Sequence, residues 1–169
     1  VLENAAFGLK MQGVCRRERE ERARVTLEQV GMTDFERHYP HELSMGMRQR
    51  VALSRAFVSA PDILLMDEPF ASLDAQARAI LQRDLRAWQE GRKTPALFIT
   101  HDIAEALVLA DRIVVLSKRP ARVLAEFRLP LGRLHTPVAG FDPELGAIGR
   151  EIWGILGQEN CRENLEAKA

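Results

Sequence analysis

Two adjacent carboxylates that follow a short apolar segment are the strongest chemical signal in the sequence. Residues 63–66 read Ile-Leu-Leu-Met and are followed at once by Asp67 and Glu68. Such a run predicts a buried strand, and ligands of open α/β sheets bind beyond the carboxyl ends of the strands. Asp67 could hold Mg²⁺ there, directly or through water, while Glu68 polarises an attacking water. A strand followed by a solvated acidic turn has the same pattern, and this motif alone leaves the two interpretations even.

The start of a predicted helix upstream of this strand is a second candidate binding site. Ser44 precedes Met45-Gly46-Met47, and an apolar stripe runs from there to Ala60. Ser44 is a natural N-cap, and the unpaired amides of a helix N-terminus can bind an anion such as a γ-phosphate. A well-capped helix without any ligand is the alternative interpretation.

Short apolar runs alternate with helical patterns along the chain. The predicted strands are residues 63–66, 96–99, 113–116 and an edge strand at 122–129. The predicted helices are residues 2–11, 16–30 before Gly31, 44–60, 75–90 before Gly91, 102–110 and about 148–156. This alternation predicts an α/β fold with parallel strands.

Composition narrows the functional class. The chain has 169 residues, and its 24 basic residues balance its 24 acidic ones. Zero net charge argues against a large nucleic-acid footprint, so we expect no nucleic-acid partner. We also expect a cytoplasmic protein, because no apolar run approaches the ~18 residues of a membrane span and no signal peptide opens the chain. The start at Val1 suggests a fragment.

Four motifs in order resemble those of ABC-transporter ATPases. Residues 43–47 resemble the signature motif, usually Leu-Ser-Gly-Gly-Gln, and Asp67-Glu68 resemble the end of the Walker B strand. Residues 70–74 resemble the D-loop, and Thr100-His101-Asp102 resemble the switch histidine segment. The resemblance covers residues 1 to about 127, and the order of the motifs makes it specific, although a single motif would be weak.

The resemblance implies that part of the site serves a second subunit. Ser44, Gly46 and Met47 match signature residues that approach ATP held by the opposite subunit, and Asp74 matches the aspartate at the dimer seam. Asp74 could equally be a helix N-cap. Met45 departs from the first glycine of the motif, and a Cβ there would restrict a positive φ.

The remaining matches concern ATP and Mg²⁺. Asp67 matches the Mg²⁺-associated aspartate, Glu68 the catalytic glutamate and His101 the residue that senses the γ-phosphate. Without this context, His101 would be interpreted as a strand-end histidine with a local hydrogen bond. The sequence contains no Gly-x-x-x-x-Gly-Lys-Ser/Thr phosphate loop, so the chain by itself is expected to be inactive.

The resemblance implies a P-loop NTPase fold: a RecA-like parallel-sheet core with a helical subdomain, lacking its N-terminal lobe. Residues 1–127 would form a partial ABC ATPase domain, with the helical subdomain and signature helix at about 1–60 and the catalytic core at 61–127. Residues 128–169 would be a C-terminal extension.

The implied function is ATP hydrolysis that drives solute import, with nitrate, sulfonate or taurine as the most similar substrate class. The implied partners are a membrane permease, a second ATPase subunit in a homodimer and, indirectly, a solute-binding protein. The chain would lie at the cytoplasmic face of the membrane. A non-catalytic remnant or docking module, and a soluble ABC ATPase that acts on nucleic acid or the ribosome, remain as alternatives.

Overall fold

The computed structural model describes residues 1–92, 94–130 and 142–166. Its helices are α1 (Leu2–Ala5), α2 (Phe7–Met11), α3 (Arg16–Gln29), α4 (Met45–Phe57), α5 (Ala75–Arg92), α6 (Ile103–Leu109) and α7 (Pro143–Glu166). Its strands are β1 (Leu64–Asp67), β2 (Ala96–Ile99), β3 (Arg112–Leu116) and β4 (Val123–Arg128). Two short 3₁₀ turns lie at Thr33–Phe35 and Pro40–Glu42.

The chain divides into two compact units, one before and one after the boundary between Ile99 and Thr100. The first unit contains α1 to α5 with β1 and β2, and the second contains α6, α7, β3 and β4.

The first unit is built around a helical core. Ala23 and Leu27 of α3 and Val30, which follows the helix, recur at helical spacing and are buried there. Helices α1 and α4 contact α3 and each other, and they complete this core. Trp88 of α5 packs edge-on against Phe57 of α4, with ring centroids 3.5 Å apart, so α5 is joined to the helical layer.

Helix α3 ends where the sequence predicts. Gly31 adopts a φ of 67°, which glycine reaches without a steric penalty. Its amide donates to the carbonyl of Glu28, and the amide of Met32 donates to the carbonyl of Leu27. These two bonds form a Schellman motif, with Met32 and Leu27 both in the core.

Strands β1 and β2 pair in parallel, as predicted, with Leu65 opposite Leu97 and Asp67 opposite Ile99. The expectation that residues 63–66 are buried holds for only one face. Leu64 is 4% exposed, whereas Leu65 is 71% exposed. Successive side chains of a strand point to opposite faces, and the described part of this unit covers only the face that carries Leu64.

Strands β3 and β4 form an antiparallel pair in the second unit. The prediction of an edge strand at residues 122–129 left its direction open, and the pairing with β3 shows that the two strands run in opposite directions. Residues 117–122 alone connect β3 to β4, whereas a parallel connection needs about a dozen residues or more. Ile113 and Val115 face a core shared with α6 and α7.

Two helices run further than the sequence suggested. Helix α5 includes Gly91, which we predicted to end it, and continues to Arg92. Helix α7 begins at Pro143 and continues past Gly157, because residues 158–166 are mostly good helix formers without a proline. No helix in the described ranges is both long and apolar enough to cross a membrane.

Candidate functional site

Ser44 caps α4, as predicted. Its hydroxyl accepts a hydrogen bond of 3.3 Å from the amide of Met47, and its carbonyl accepts one of 3.0 Å from the amide of Arg48. The first amides of a helix have no acceptor within the helix, so Met45 and Gly46 can offer theirs to a group outside it. Ser44 and Met45 are exposed, which leaves this helix end accessible within the first unit.

Met45 is compatible with this turn, although it replaces the usual glycine. It is the first residue of α4, and the only described non-glycine residues with positive φ are Ala60 and Glu68. The concern that a Cβ at position 45 would restrict the backbone therefore does not apply. The side chain of Arg48 lies over Met45, with 3.9 Å between a guanidinium nitrogen and the sulfur.

Gly46 has no local need to be glycine. Its φ is not positive, and an added Cβ would lie 3.7 Å from the Cβ of Ala77, which is an ordinary contact. The same distance shows that the turn after Ser44 lies against the first turn of α5. A glycine required neither by conformation nor by packing is consistent with the close approach of a group from outside the chain.

Met47 and Asp74 both have structural roles. The side chain of Met47 packs against the core of α1, α3 and α4, while its amide bonds Ser44. The carboxylate of Asp74 accepts bonds of 3.0 Å from the amides of Gln76 and Ala77, so it caps α5.

Asp67 is the last residue of β1, and Glu68 follows it at the carboxyl end of the parallel pair. Both carboxylates are exposed. The described ranges contain no group of three or more histidine, cysteine or acidic residues that could enclose a metal ion. Mg²⁺ is usually bound by one or two carboxylates together with substrate phosphates and water, so this donor set fits Mg²⁺ bound with a nucleotide.

Glu68 has a strained backbone that the sequence does not reveal. Its φ is 44°, in the left-handed region that costs an L-residue about 1–2 kcal/mol. Its amide donates to the carbonyl of Ile99 at 2.8 Å, and its own carbonyl accepts from the amide of Ala71 at 3.2 Å. Strain of this kind persists where surrounding bonds enforce it, and it concentrates at functional sites.

Helix α4 is bonded directly to the turn that carries Glu68. The side-chain amide of Gln49 donates a hydrogen bond to the carbonyl of Pro69. About one and a half turns of α4 separate Ser44 from Gln49, which contacts the residue after Glu68. Sequence reasoning missed Gln49, since a glutamine on a helix gives no signal of a partner twenty residues away.

His101 lies in the second unit, directly before α6. It is exposed, and its neighbours are held by hydrogen bonds. The hydroxyl of Thr100 donates to the buried carboxylate of Glu105 at 2.7 Å and accepts from the amide of Asp102 at 2.9 Å. His101 lines a cleft of about 510 Å³ together with Lys118 and Trp153.

The first unit therefore brings together most of the residues chosen from the sequence. The turn at Ser44 and Gly46 lies beside the helix capped by Asp74, and the same helix α4 contacts the turn after Asp67 and Glu68. His101 belongs to the other unit.

The known proteins that this chain resembles are ATP-binding proteins of transport systems. The family profile for ABC transporters matches residues 1–71. An uncharacterised ABC transporter ATP-binding protein of Methanocaldococcus jannaschii is 48% identical over 79% of this chain and 50% of that protein. A taurine import ATP-binding protein of Rhizobium johnstonii is 48% identical over 92% of the chain and 62% of that protein. A sulfate/thiosulfate import ATP-binding protein of Rhizobium meliloti is 42% identical over 95% of this chain and 41% of that protein.

The chain spans between 41% and 62% of the length of these three relatives. The fold of the family is that of P-loop NTPases, in keeping with the mixed helices and strands and the parallel β1–β2 pair. The ordered motifs, the profile match over residues 1–71 and the similarity over most of the chain agree, and each likens this chain to the ATP-binding proteins of the ABC transporter family.

Proposed function

We propose that this chain is the signature and catalytic-strand part of an ATPase that drives solute import. The observation that carries the proposal is the pairing of two features in one unit. Helix α4, whose capped end offers accessible amides, is bonded through Gln49 to the turn at the end of β1, where Asp67 and Glu68 lie exposed. Such a pair suits a dimer that binds nucleoside triphosphates at its seam, because each copy would offer its helix end to the phosphate oxygens of its partner's ATP and its carboxylates to the metal ion and water of its own.

Each residue has a distinct role in this proposal. Asp67 would hold Mg²⁺, whose charge would offset that of the phosphates. Glu68 would take a proton from the attacking water, and His101 would contact the γ-phosphate. Ser44, Gly46 and Met47 would serve ATP bound by a second copy, with Asp74 at the seam of this homodimer.

The test is ATP hydrolysis by the purified full-length protein, with and without Mg²⁺, combined with uptake of labelled solute by cells that lack or carry the gene. We expect turnover that requires Mg²⁺ and uptake that requires the gene. Turnover stimulated by nucleic acid instead would favour a soluble ATPase. The absence of both turnover and uptake would favour a remnant or docking module.

Taurine is the first solute to test in that assay. Three of the similar proteins are named for taurine import, and another is named for sulfate and thiosulfate import. We propose a sulfonate or related anion for this system, delivered by a solute-binding protein. Nitrate and sulfate are the competing anions to include in the uptake measurement.

A groove on the first unit supports docking to a membrane permease. It has a volume of about 860 Å³ and lies between α3 and the segment around Pro61 and Pro95. Apolar residues that include Val25 and Val58 form part of its lining. Its charged lining residues are the acidic Glu18, Glu21 and Asp62 and the basic Arg22, so acidic groups are in excess.

The charge of this groove matches the partner we propose. Cytoplasmic loops of membrane proteins carry an excess of lysine and arginine. A short permease helix with an apolar residue between basic ones would therefore fit the groove. This placement would hold the ATPase at the cytoplasmic face of the membrane.

Val25→Arg should abolish co-purification with the permease while leaving the binding of ATP unchanged. Val25 is half exposed, so the change adds a cation to the groove at little cost to folding. Glu28→Arg is the matched control, because Glu28 is an exposed residue of the same helix outside the groove lining. Equal co-purification of the Val25→Arg variant and the wild type would exclude the groove as the docking site.

A further inference from the structure

We propose that Gln49 is a positioning residue for Glu68: its side-chain amide fixes the turn in which the carboxylate must meet its water. This inference rests on the proposed function, in which Glu68 is the general base. It assigns Gln49 an indirect part in the chemical step, through the hydrogen bond that its side-chain amide donates to the backbone carbonyl of Pro69.

The turn at Glu68 needs restraint from its surroundings. A glutamate with a φ of 44° would relax to a more ordinary conformation if nothing held it. Two hydrogen bonds come from nearby backbone, one to Ile99 of β2 and one from Ala71 within the turn. Both would move with the turn and the sheet, so neither fixes the turn relative to the helices.

The bond from Gln49 supplies that restraint. Its Nε2 atom donates to the carbonyl of Pro69, the residue next to Glu68. Proline has no amide hydrogen, so this carbonyl is the only backbone polar group that Pro69 can offer to a partner. Gln49 is half buried, which shields the bond in part from competing water.

Helix α4 is itself held firmly at this position. The guanidinium of Arg50 forms an ion pair of 3.0 Å with Asp84 of α5 and donates to the carbonyl of Val30 at 2.7 Å. Gln49 therefore projects from a helix that is bonded to α5 and to the residue that follows α3. Because the same helix begins at Ser44, a shift of the signature turn would be passed to the turn of Glu68 through Gln49.

The first experiment measures kcat and the Kd for ATP in the full-length protein carrying Gln49→Ala or Gln49→Glu. Both changes remove the donor, since an ionised carboxylate can only accept, and Gln49→Glu keeps the size and helix propensity of the residue. We expect kcat to fall by about 10- to 100-fold, the scale of a misplaced catalytic group, with no change in Kd. Gln12→Ala, at an exposed glutamine outside the site, should retain the wild-type kcat.

A second measurement separates positioning from a general structural role. In protein that already carries Glu68→Gln, adding Gln49→Ala should not reduce the residual single-turnover rate further, since there is no base left to position. A full additional loss in that background would overturn the inference, as would a wild-type kcat in both Gln49 variants. Normal turnover of Glu68→Gln alone would instead refute the proposed role of Glu68.

Discussion

Glu68→Gln in the full-length protein is expected to reduce ATP turnover by about 10²- to 10⁴-fold, the usual contribution of a general base. Glutamine preserves the shape of the side chain but cannot accept the proton of the attacking water. The exposed carboxylate at the end of β1 lies where such a water could reach it. The Kd for ATP should not change, because in this proposal Glu68 acts on water and not on the nucleotide.

The measurement pairs steady-state hydrolysis with equilibrium binding of ATP. Glu28→Gln is the control, since Glu28 is an exposed glutamate on α3 outside the candidate site, and its turnover should match the wild type. A Glu68→Gln variant that hydrolyses ATP at a near-normal rate would show that Glu68 is not the base. Parallel losses of binding and turnover would point to misfolding and would also contradict the prediction.

Ser44→Arg should prevent the dimer that Glu68→Gln otherwise forms with ATP. Protein with Glu68→Gln should bind ATP and remain closed as a dimer, because hydrolysis no longer releases it. Ser44 is exposed at the N-terminus of α4, and a bulky cation there would fill the space proposed for the γ-phosphate of the opposite subunit. Size-exclusion chromatography with and without Mg-ATP measures the result.

Two further variants show whether Ser44→Arg prevents the dimer by blocking the phosphate site or by removing the helix cap. Loss of the Ser44 cap costs about 1 kcal/mol by itself. Ser44→Asp keeps a good cap but places a negative charge beside the phosphate, so it should also block the dimer. Ala56→Arg adds the same cation near the other end of α4 and should leave the dimer intact. If protein that carries both Glu68→Gln and Ser44→Arg still dimerises with ATP, the signature assignment of Ser44 is wrong and the capped-helix interpretation stands.

The sequence was most informative where a local signal decides the structure. Ser44 caps α4, and Gly31 ends α3 with a left-handed φ, because each residue type suits that position. The apolar runs at 63–66 and 96–99 predicted two strands that pair in parallel, whereas the antiparallel pairing of β3 with β4 follows from the short connection between them. Periodicity identifies a strand but does not give the direction of its partner.

Within the candidate site, backbone strain and long-range contacts escaped sequence reasoning. A left-handed conformation is expected at glycine, so nothing pointed to one at Glu68. The concern about Met45 came from the same rule and was unnecessary, because the residue is helical. The bond between Gln49 and Pro69 depends on tertiary packing of α4 beside β1, which no local pattern specifies.

The strained glutamate and the unconstrained glycine have a consequence for directed evolution. Glycine at position 68 would relieve about 1–2 kcal/mol of backbone strain, and alanine at position 46 would gain about 1 kcal/mol of helix propensity. The first change would remove the carboxylate that we propose as the base, and the second would add a methyl group where we propose that the ATP of the second copy approaches. A library of this protein screened for heat resistance alone would therefore enrich inactive members at these two positions, and a screen for improved variants must also select for transport.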